Sequence, residues 1–321
     1  MWNRRQFLAA ATAAATFGCS EESAPESVAA PAAASKIRFA YSGFPWGENI
    51  EEAIRMAAKY GFHGVEPFRN HIQAHLTDPA ALRAKFDEVG ISMATCSNGG
   101  SDMMIDFIDP ANTEQTIADH VTFARDFLTV FDCKHFKFNM GRRPEQPTTD
   151  EQLQTMGETL NELGRRMADL GIMIAPHPHI WSPLERRNEV ERMLELTDPQ
   201  YVSMTADTAH LTLGGISPVE VVQHHFDRVE ALHFKDTEPK YRGYTGATPT
   251  QEEHQKVNLY KVMGTGGVDF PAIYEALVSR GFEGWVTLDF DPPREWEGTI
   301  DEQMTVNKKY LEETLGVNSL A

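Results

Sequence analysis

The chain has 321 residues, and 47 acidic against 29 basic side chains give it a formal net charge of −18. Because this excess of negative charge repels polyphosphate chains, it argues against nucleic acid as a substrate or partner. Charged residues make up 24% of the sequence and hydrophobic residues 41%, which is typical of a soluble globular domain.

The N-terminal residues 1–19 have the pattern of an export signal. Residues 3–8, NRRQFL, match the twin-arginine motif, and residues 16–19, TFGC, resemble a lipoprotein cleavage box. We expect twin-arginine export to the periplasm with lipidation at Cys19; a soluble periplasmic protein cut elsewhere is the alternative. Residues 20–35 have no apolar period, which predicts a flexible tether. No later apolar stretch approaches the ~20 residues that span a bilayer, so membrane contact is expected only through a lipid anchor.

Residues 36–321 repeat one unit, in which a helix ends at a glycine and an apolar strand follows. Gly61, Gly90, Gly171 and Gly281 mark these points, because glycine accepts the left-handed conformation at a helix end. Alternating strands and helices predict a parallel sheet, and eight strands predict a single α/β domain, a closed (β/α)8 TIM barrel. A doubly wound open sheet is the weaker alternative, since no glycine-rich phosphate loop follows the first strand. The predicted strands are 37–41, 63–67, 91–96, 134–139, 172–177, 201–206, 229–234 and 285–290.

Polar residues stand at the ends of the last four predicted strands. They are His177, Asp207, His233 and Asp289. Two imidazoles and two carboxylates on neighbouring parallel strands can converge on one divalent metal ion. This mixed set of nitrogen and oxygen ligands suits Mn, Co, Zn or Fe more than Ca. A lone histidine at a strand end is usually structural, but four such residues in this order favour a metal site.

Several motifs resemble the sugar isomerase/epimerase superfamily, whose members have the xylose isomerase-like TIM barrel. The resemblance is carried by APHPH at 175–179, DTAHL at 207–211, LHFKD at 232–236, MGTGGVDF at 263–270 and GWVTLD at 284–289. It covers about residues 36–315 and implies the same barrel. The stretch from His177 to Gly215 is particularly similar to the inosose dehydratase branch, whose members are lyases.

The superfamily usually binds one divalent ion through Glu, Asp, His and Glu on its last four strands. Asp207 and His233 match this pattern directly, whereas Asp289 replaces the final Glu and is one methylene shorter. His177 stands where the first Glu is expected, as in the dehydratase branch. In epimerases of the superfamily the two glutamates also carry protons on opposite faces of the substrate, and this chain has lost both.

We expect a metal-dependent sugar or polyol isomerase/epimerase that acts through an enediolate on a keto- or hydroxy-carbohydrate. The first alternative is a lyase, a dehydratase or β-eliminase, on a keto-sugar, inosose or 3-keto-glycoside, because both glutamates are replaced. The second alternative is a non-catalytic sugar-binding lipoprotein. The resemblance implies a small carbohydrate or polyol as the partner, and since an exported enzyme rarely meets sugar phosphates, we expect one without phosphate.

Four further residues are candidates for the catalytic group. Glu66 ends the second predicted strand and is our candidate for the base, with a salt bridge across the barrel mouth as the alternative. His179 and His210 follow two of the predicted ligands closely enough to contact substrate oxygens. Lys137 lies between two phenylalanines on its strand, and we expect it to donate hydrogen bonds to hydroxyl groups or to form a salt bridge.

The substrate-binding candidates are Asn139, Lys235 and Arg242, each of which can donate hydrogen bonds to hydroxyl groups. Arg242 lies in the long polar segment 237–262. A segment of this length on a barrel predicts a lid over the site. A disordered excursion or a contact within a homo-oligomer is the alternative.

Overall fold

The structure is a computed structural model that describes residues 36–99, 105–291, 298–318 and 320. The predicted export signal, the tether and Cys19 lie outside these residues and stay predictions. Within the described ranges, no helix combines the length and the apolar character that crossing a membrane requires.

The described strands form a parallel barrel with one small antiparallel pair beside it. They are β1 Arg38–Ser42, β2 Gly64–Glu66, β3 Ser92–Met93, β4 His135–Phe138, β5 Met173–Pro176, β6 Met204–Asp207, β7 Val229–Phe234, β8 Asp236–Thr237, β9 Tyr260–Lys261 and β10 Trp285–Leu288. β8 and β9 pair antiparallel with each other. The other strands match the eight predicted ones: β7 has the predicted bounds, β1 is shifted by one residue, and the rest are shorter by two to four residues.

Main-chain pairing continues around the whole barrel. One sheet has the order β3-β2-β1-β10-β7-β6, and β4 pairs with β5 in a second sheet. Single parallel bridges from Ser97 to Lys137 and from Ile174 to Val202 join the two sheets on both sides. The barrel is therefore closed, as predicted, and the carboxyl ends of its parallel strands meet at one mouth.

Helices lie between the strands and after the last one. They are α1 Ile50–Lys59, α2 Pro79–Val89, α3 Thr113–Asp126, α4 Asp150–Ala168, α5 Arg187–Leu196, α6 Thr208–Leu213, α7 Pro218–His224, α8 Gln251–Lys256, α9 Phe270–Ser279 and α10 Ile300–Glu313. Most of them bury one face, whereas α6 is buried throughout and α8 has no buried residue. On α1 the buried residues Ile50, Ala53, Ile54 and Ala57 recur every three or four positions, which is the spacing of one helix face. At the start of α4, Thr149 forms a capping box that satisfies backbone N–H groups left free by the helix.

Alternation along the strands decides which side chains reach the barrel interior. On β7, Leu232 and Phe234 pack in the main hydrophobic core, whereas His233 between them contacts Glu66 across the barrel. On β4, Lys137 likewise contacts Glu66 and lies between two core phenylalanines. Because successive side chains of a strand point to opposite faces, the charged residues between these hydrophobic ones point into the barrel.

The segment after β7 is ordered, in contrast to the disordered excursion considered above. It contains β8, a 3-10 helix at Pro239–Tyr241, α8 and β9. Tyr241, Leu259 and Tyr260 from this segment form a second hydrophobic cluster with Ile180 and the buried side of α6. These apolar contacts hold the segment against the mouth of the barrel.

Asp236 is the polar centre of this segment. Its buried carboxylate accepts hydrogen bonds from the backbone N–H groups of Thr237, Gly264, Gly266 and Val268, at 2.8–3.0 Å. The approach requires glycine at 266, because a Cβ there would lie 1.9 Å from the carbonyl oxygen of Thr237. This glycine-rich turn is thus satisfied by a carboxylate of the same chain.

We predict that Asp236→Asn lowers the free energy of unfolding by about 2–4 kcal/mol, because the amide removes the acceptor of two buried N–H groups. Chemical denaturation of both proteins measures the difference. Asp269→Asn is the matched control, since Asp269 is exposed at the start of α9 and asparagine caps a helix almost equally well. A loss below about 0.5 kcal/mol in Asp236→Asn would contradict the prediction.

Candidate metal-binding active site

The four predicted metal ligands converge at the mouth of the barrel. His177 and Asp289 directly follow β5 and β10, Asp207 ends β6, and His233 lies in β7. Asp207 Oδ2 is 3.4 Å from His177 Nε2 and 3.5 Å from His233 Nδ1, and His233 Nδ1 is 3.6 Å from Asp289 Oδ2. Two groups of three side chains, His177–Asp207–His210 and Asp207–His233–Asp289, each bring their donor atoms within 4.8 Å of one another, and Asp207 belongs to both.

The separations suit a shared cation better than direct hydrogen bonds. Ligand atoms about 2.1 Å from a tetrahedral ion lie about 3.4 Å from one another, close to the three distances above. Within the described residues, the buried atoms His233 Nδ1 and Asp289 Oδ1 have no hydrogen-bond partner. Since buried polar atoms are normally paired, these two atoms fit a bound metal ion.

Neighbouring groups occupy the other polar atoms of the ligands. His177 Nδ1 pairs with Asn139 Oδ1 at 3.2 Å, and His233 Nε2 pairs with Glu66 Oε2 at 2.8 Å. Asp207 Oδ1 accepts the N–H groups at the start of α6, at 2.9 Å each. Such outer contacts fix the orientation of ligand side chains and are typical of metal sites in proteins.

Burial and charge set the protonation of the ligands. Burial lowers the pKa of His177 to about 3, so its imidazole is neutral at pH 7. Burial alone would raise the pKa of Asp207, but the surrounding imidazoles hold it well below its usual range. Burial opposes the charged form of His233, yet the carboxylate of Glu66 raises its pKa to about 10. A cation bound at His233 Nδ1 would therefore displace a proton.

Glu66 does not occupy the position expected of a substrate base. It is fully buried, pairs with His233, and forms an ion pair with Lys137 at 3.1 Å. Burial alone would raise the pKa of Glu66, but the charges of His233 and Lys137 lower it to about 2. Its contacts match the salt bridge that was the alternative, and they assign it to orienting His233.

A cavity of about 620 Å³ opens above the ligands, which is within the range of small-molecule sites. It is lined by Phe44, Phe68, Asn70, Gly99, Lys137, Asn139, His177, His179, Trp181, His210, Lys235, His254, Tyr260, Asp289 and Asp291. Aromatic rings on both sides and polar groups between them suit a molecule with apolar faces and hydroxyl edges. Glu66 is not among the lining residues.

His179 and His210 form one wall of this cavity. Their ring centroids are 3.7 Å apart, and His210 Nδ1 is 3.5 Å from the hydroxyl group of Tyr260. Burial lowers the pKa of His179 to about 4, and burial together with His179 lowers the pKa of His210 well below its usual value. Both imidazoles are thus neutral at pH 7 and can accept a proton.

The predicted basic residues have different positions. Lys235 lines the cavity, where its ammonium group is 3.0 Å from Asp289 and 2.6 Å from Asp291. Lys137 also lines it, paired with Glu66. Arg242 is exposed, donates a hydrogen bond to the carbonyl oxygen of Gly266, and lines a separate groove. The structure therefore does not bring Arg242 to the site, because its segment turns that side chain outward.

Sequence reasoning missed several lining residues. Asp291 lies two positions after Asp289, so the strand period of two was the signal that could have found it. Trp181 and Tyr260 come from a loop and from the segment after β7, where no strand or helix period marks them. Asn139 was predicted to bind substrate, and its contact with His177 adds a role in orienting a ligand.

Comparison with known proteins shows the family to which this chain belongs. Residues 54–310 match the family model of the xylose isomerase-like TIM barrel. The chain therefore belongs to this family, as the motifs predicted.

Individual proteins of known name or structure have low sequence identity to this chain. Inosose dehydratase of Lacticaseibacillus casei is 28% identical over 178 residues, which cover 53% of this chain and 57% of that protein. Inosose dehydratase of Geobacillus kaustophilus is 25% identical over 253 residues, or 74% and 79% of the two chains. The chain thus spans little more than half the length of the first relative. The crystal structure of the IolI protein with a zinc atom has a TM-score of 0.69 at 16% identity, covering 86% and 97%, which shows a shared fold.

We predict that Asp207→Asn or His233→Ala abolishes binding of a divalent metal while the barrel stays folded. Each change removes a donor atom from the centre of the ligand set. Elemental analysis and circular dichroism of the purified variants test this, with Asp227→Asn as a control because Asp227 is exposed. Full metal occupancy in both variants would refute the ligand assignment.

We predict a smaller effect for Glu66→Gln, which keeps the shape of the side chain but weakens the contact with His233. Loss of an outer partner typically lowers metal affinity by about 10–100-fold. Competition with a chromogenic chelator measures the affinity. Unchanged affinity would show that Glu66 does not orient His233.

Proposed function

We propose that this protein is a metal-dependent lyase that eliminates a β-oxygen from a keto-carbohydrate. The observation that carries the proposal is the pair His179–His210, two neutral imidazoles on the same wall of the cavity beside the ligand set. Epimerisation by the superfamily's glutamates uses groups on opposite faces of the substrate. A pair on one face suits removal of a proton and protonation of a leaving oxygen on that face.

The relatives support the same class of reaction. Those named inosose dehydratase act, by that name, in a dehydration, which is an elimination. The presence of His177 in place of the first glutamate points in the same direction. At 25–28% identity these names support a lyase without fixing its substrate.

A divalent ion held by His177, Asp207, His233 and Asp289 would polarise a substrate carbonyl and make the adjacent C–H bond acidic. The chain's own residues supply the proton transfers. His179 or His210 accepts the proton as the C–H bond breaks. The electron pair of that bond forms the carbon–carbon double bond as the β C–O bond breaks, the C–O electron pair leaves with the oxygen, and the imidazolium returns its proton to that oxygen. No oxidant is needed, since water or an alcohol departs.

The proposed cofactor is one divalent ion. Two nitrogen and two oxygen donors suit Zn, Mn, Co or Fe. The zinc atom in the structurally similar IolI protein supports zinc as the first ion to test.

An isomerase/epimerase is the second candidate, as the sequence first suggested. It is favoured by the same pair, His179 and His210, because an imidazole that has taken a proton from one carbon can return it to a neighbouring carbon. A sugar-binding lipoprotein without catalysis is disfavoured by the buried ionised groups of the site, which are costly to retain without a role.

We also propose export by the twin-arginine route, supported by the NRRQFL motif at residues 3–8. The product is a periplasmic protein, with Cys19 as the site of a lipid anchor or with a soluble form as the alternative. The proposed partner is a small carbohydrate or polyol, and the charge of −18 argues against nucleic acid. Self-association through residues 237–262 stays a prediction.

We predict that the metal-loaded protein incubated with keto-sugars in heavy water gives a product lighter by water or an alcohol. The His179→Asn/His210→Asn double variant should retain the metal and lose at least about 100-fold in rate, because a positioned acid–base group contributes about 10²–10⁴-fold. Mass spectrometry and proton NMR measure both.

The mass of the product separates the candidates. A product that has lost neither water nor an alcohol and that carries deuterium on carbon would support the isomerase instead. Metal retention without exchange or product from any keto-sugar would contradict both enzymatic candidates. Wild-type rates in the double variant would remove the two histidines from the mechanism.

A further inference from the structure

Trp181 has a backbone conformation that its residue type disfavours. Its φ is +67°, in the left-handed region, where a bulky side chain is strained. Among the described residues other than glycine, only Asp132 shares a positive φ, at a helix end. Strained residues persist when their surroundings fix them, and they concentrate at functional sites.

A buried ionic network fixes Trp181. Its backbone N–H donates to Glu185 at 2.6 Å, and its carbonyl oxygen accepts from the N–H of Arg143 at 2.9 Å. Arg143 and the backbone N–H of Glu185 both bind the carboxylate of Glu189. The indole N–H donates to the carbonyl oxygen of Pro249 at 2.8 Å. Three separate contacts thus hold the ring in one place.

The ring lies between two cavities. Trp181 lines the 620 Å³ cavity above the metal ligands and also a neighbouring cavity of about 430 Å³. Gly99, Asn139 and His179 line both cavities as well, so the two cavities adjoin beside His179. The second cavity is further lined by Ile105, Gly141, Arg142, Ile180, Ser182 and Gln251.

The second cavity offers an apolar wall and a cationic end. Ile105 supplies apolar surface, and Arg142 is exposed there, whereas the adjacent Arg143 is held by the network around Trp181. Within the described residues, Arg142 makes no ion pair. Its guanidinium group therefore remains able to donate hydrogen bonds to a ligand.

We propose that Trp181 divides the site into two subsites, so that the preferred substrate is a glycoside-sized molecule of two rings. The reacting sugar occupies the cavity above the ligands, and a second ring joined to it occupies the neighbouring cavity against the indole of Trp181. This substrate class rests on the proposed function, because it assigns the reacting ring to the metal side.

The chemistry of the two surfaces explains the preference. An indole ring presents a flat apolar face that covers the C–H face of a sugar or an aromatic ring, while Arg142 can bind hydroxyl groups beyond it. A free monosaccharide fills only the first cavity and gains none of these contacts. The fixed position of Trp181 reduces the entropy lost when the second ring binds.

The test compares D-glucose with cellobiose, which adds a second ring, by saturation-transfer NMR on the zinc-loaded full chain. Cellobiose should bind about tenfold more tightly, which corresponds to about 1.4 kcal/mol. In Trp181→Gly the advantage should fall below about threefold. Glycine suits a positive φ, which offsets part of the packing lost with the indole, and circular dichroism shows whether this variant is folded. Trp181→Phe retains a flat ring and should keep most of the advantage.

Phe44→Ala is the matched control, because Phe44 lines only the first of the two cavities. This variant should weaken the binding of both sugars by the same factor. Equal affinities in the wild type, an advantage that survives in folded Trp181→Gly, or binding of neither sugar would overturn the proposal. Metal content of the same samples separates the two ideas: bound zinc without a cellobiose advantage refutes only the second subsite, whereas absence of zinc binding refutes the proposed function.

Discussion

The carboxylate of Asp207 is the constraint on which the rest of the site depends. One oxygen accepts the backbone N–H groups that begin α6, so the end of β6 and the start of the next helix are fixed together. The other oxygen lies within 3.5 Å of both His177 and His233. The hydrogen bonds that build the barrel mouth thus also aim the central ligand, and the placement of His210 follows from the same turn.

The charges at the mouth explain why a cation belongs there. Glu66, Asp207, Asp289 and Asp291 face two ammonium groups, those of Lys137 and Lys235. Once a cation at His233 Nδ1 has displaced the proton of that imidazole, four carboxylates against two ammonium groups leave a formal charge of two negative. A buried charge is costly unless it is compensated, and one divalent ion would neutralise this excess. The positive charges of the two lysines therefore reduce the negative excess to the value that one divalent ion balances.

The sequence predicted the barrel and placed the four candidate ligands at its mouth because both follow from local patterns, apolar strands of period two that end in polar residues. It could not show contacts across the barrel. Glu66 and His233 are 167 positions apart, and nothing near Glu66 indicates that an imidazole faces it. Trp181 was missed because a positive φ for tryptophan depends on Arg143, Glu185 and Pro249, which local propensity does not reveal.

We expect these side chains to bind one metal ion, and anomalous diffraction from a crystal grown with zinc shows whether they do. The account predicts a single strong peak about 2.0–2.2 Å from His177 Nε2, Asp207 Oδ2, His233 Nδ1 and a carboxylate oxygen of Asp289. Absence of a peak, or a peak held by other residues, would contradict it.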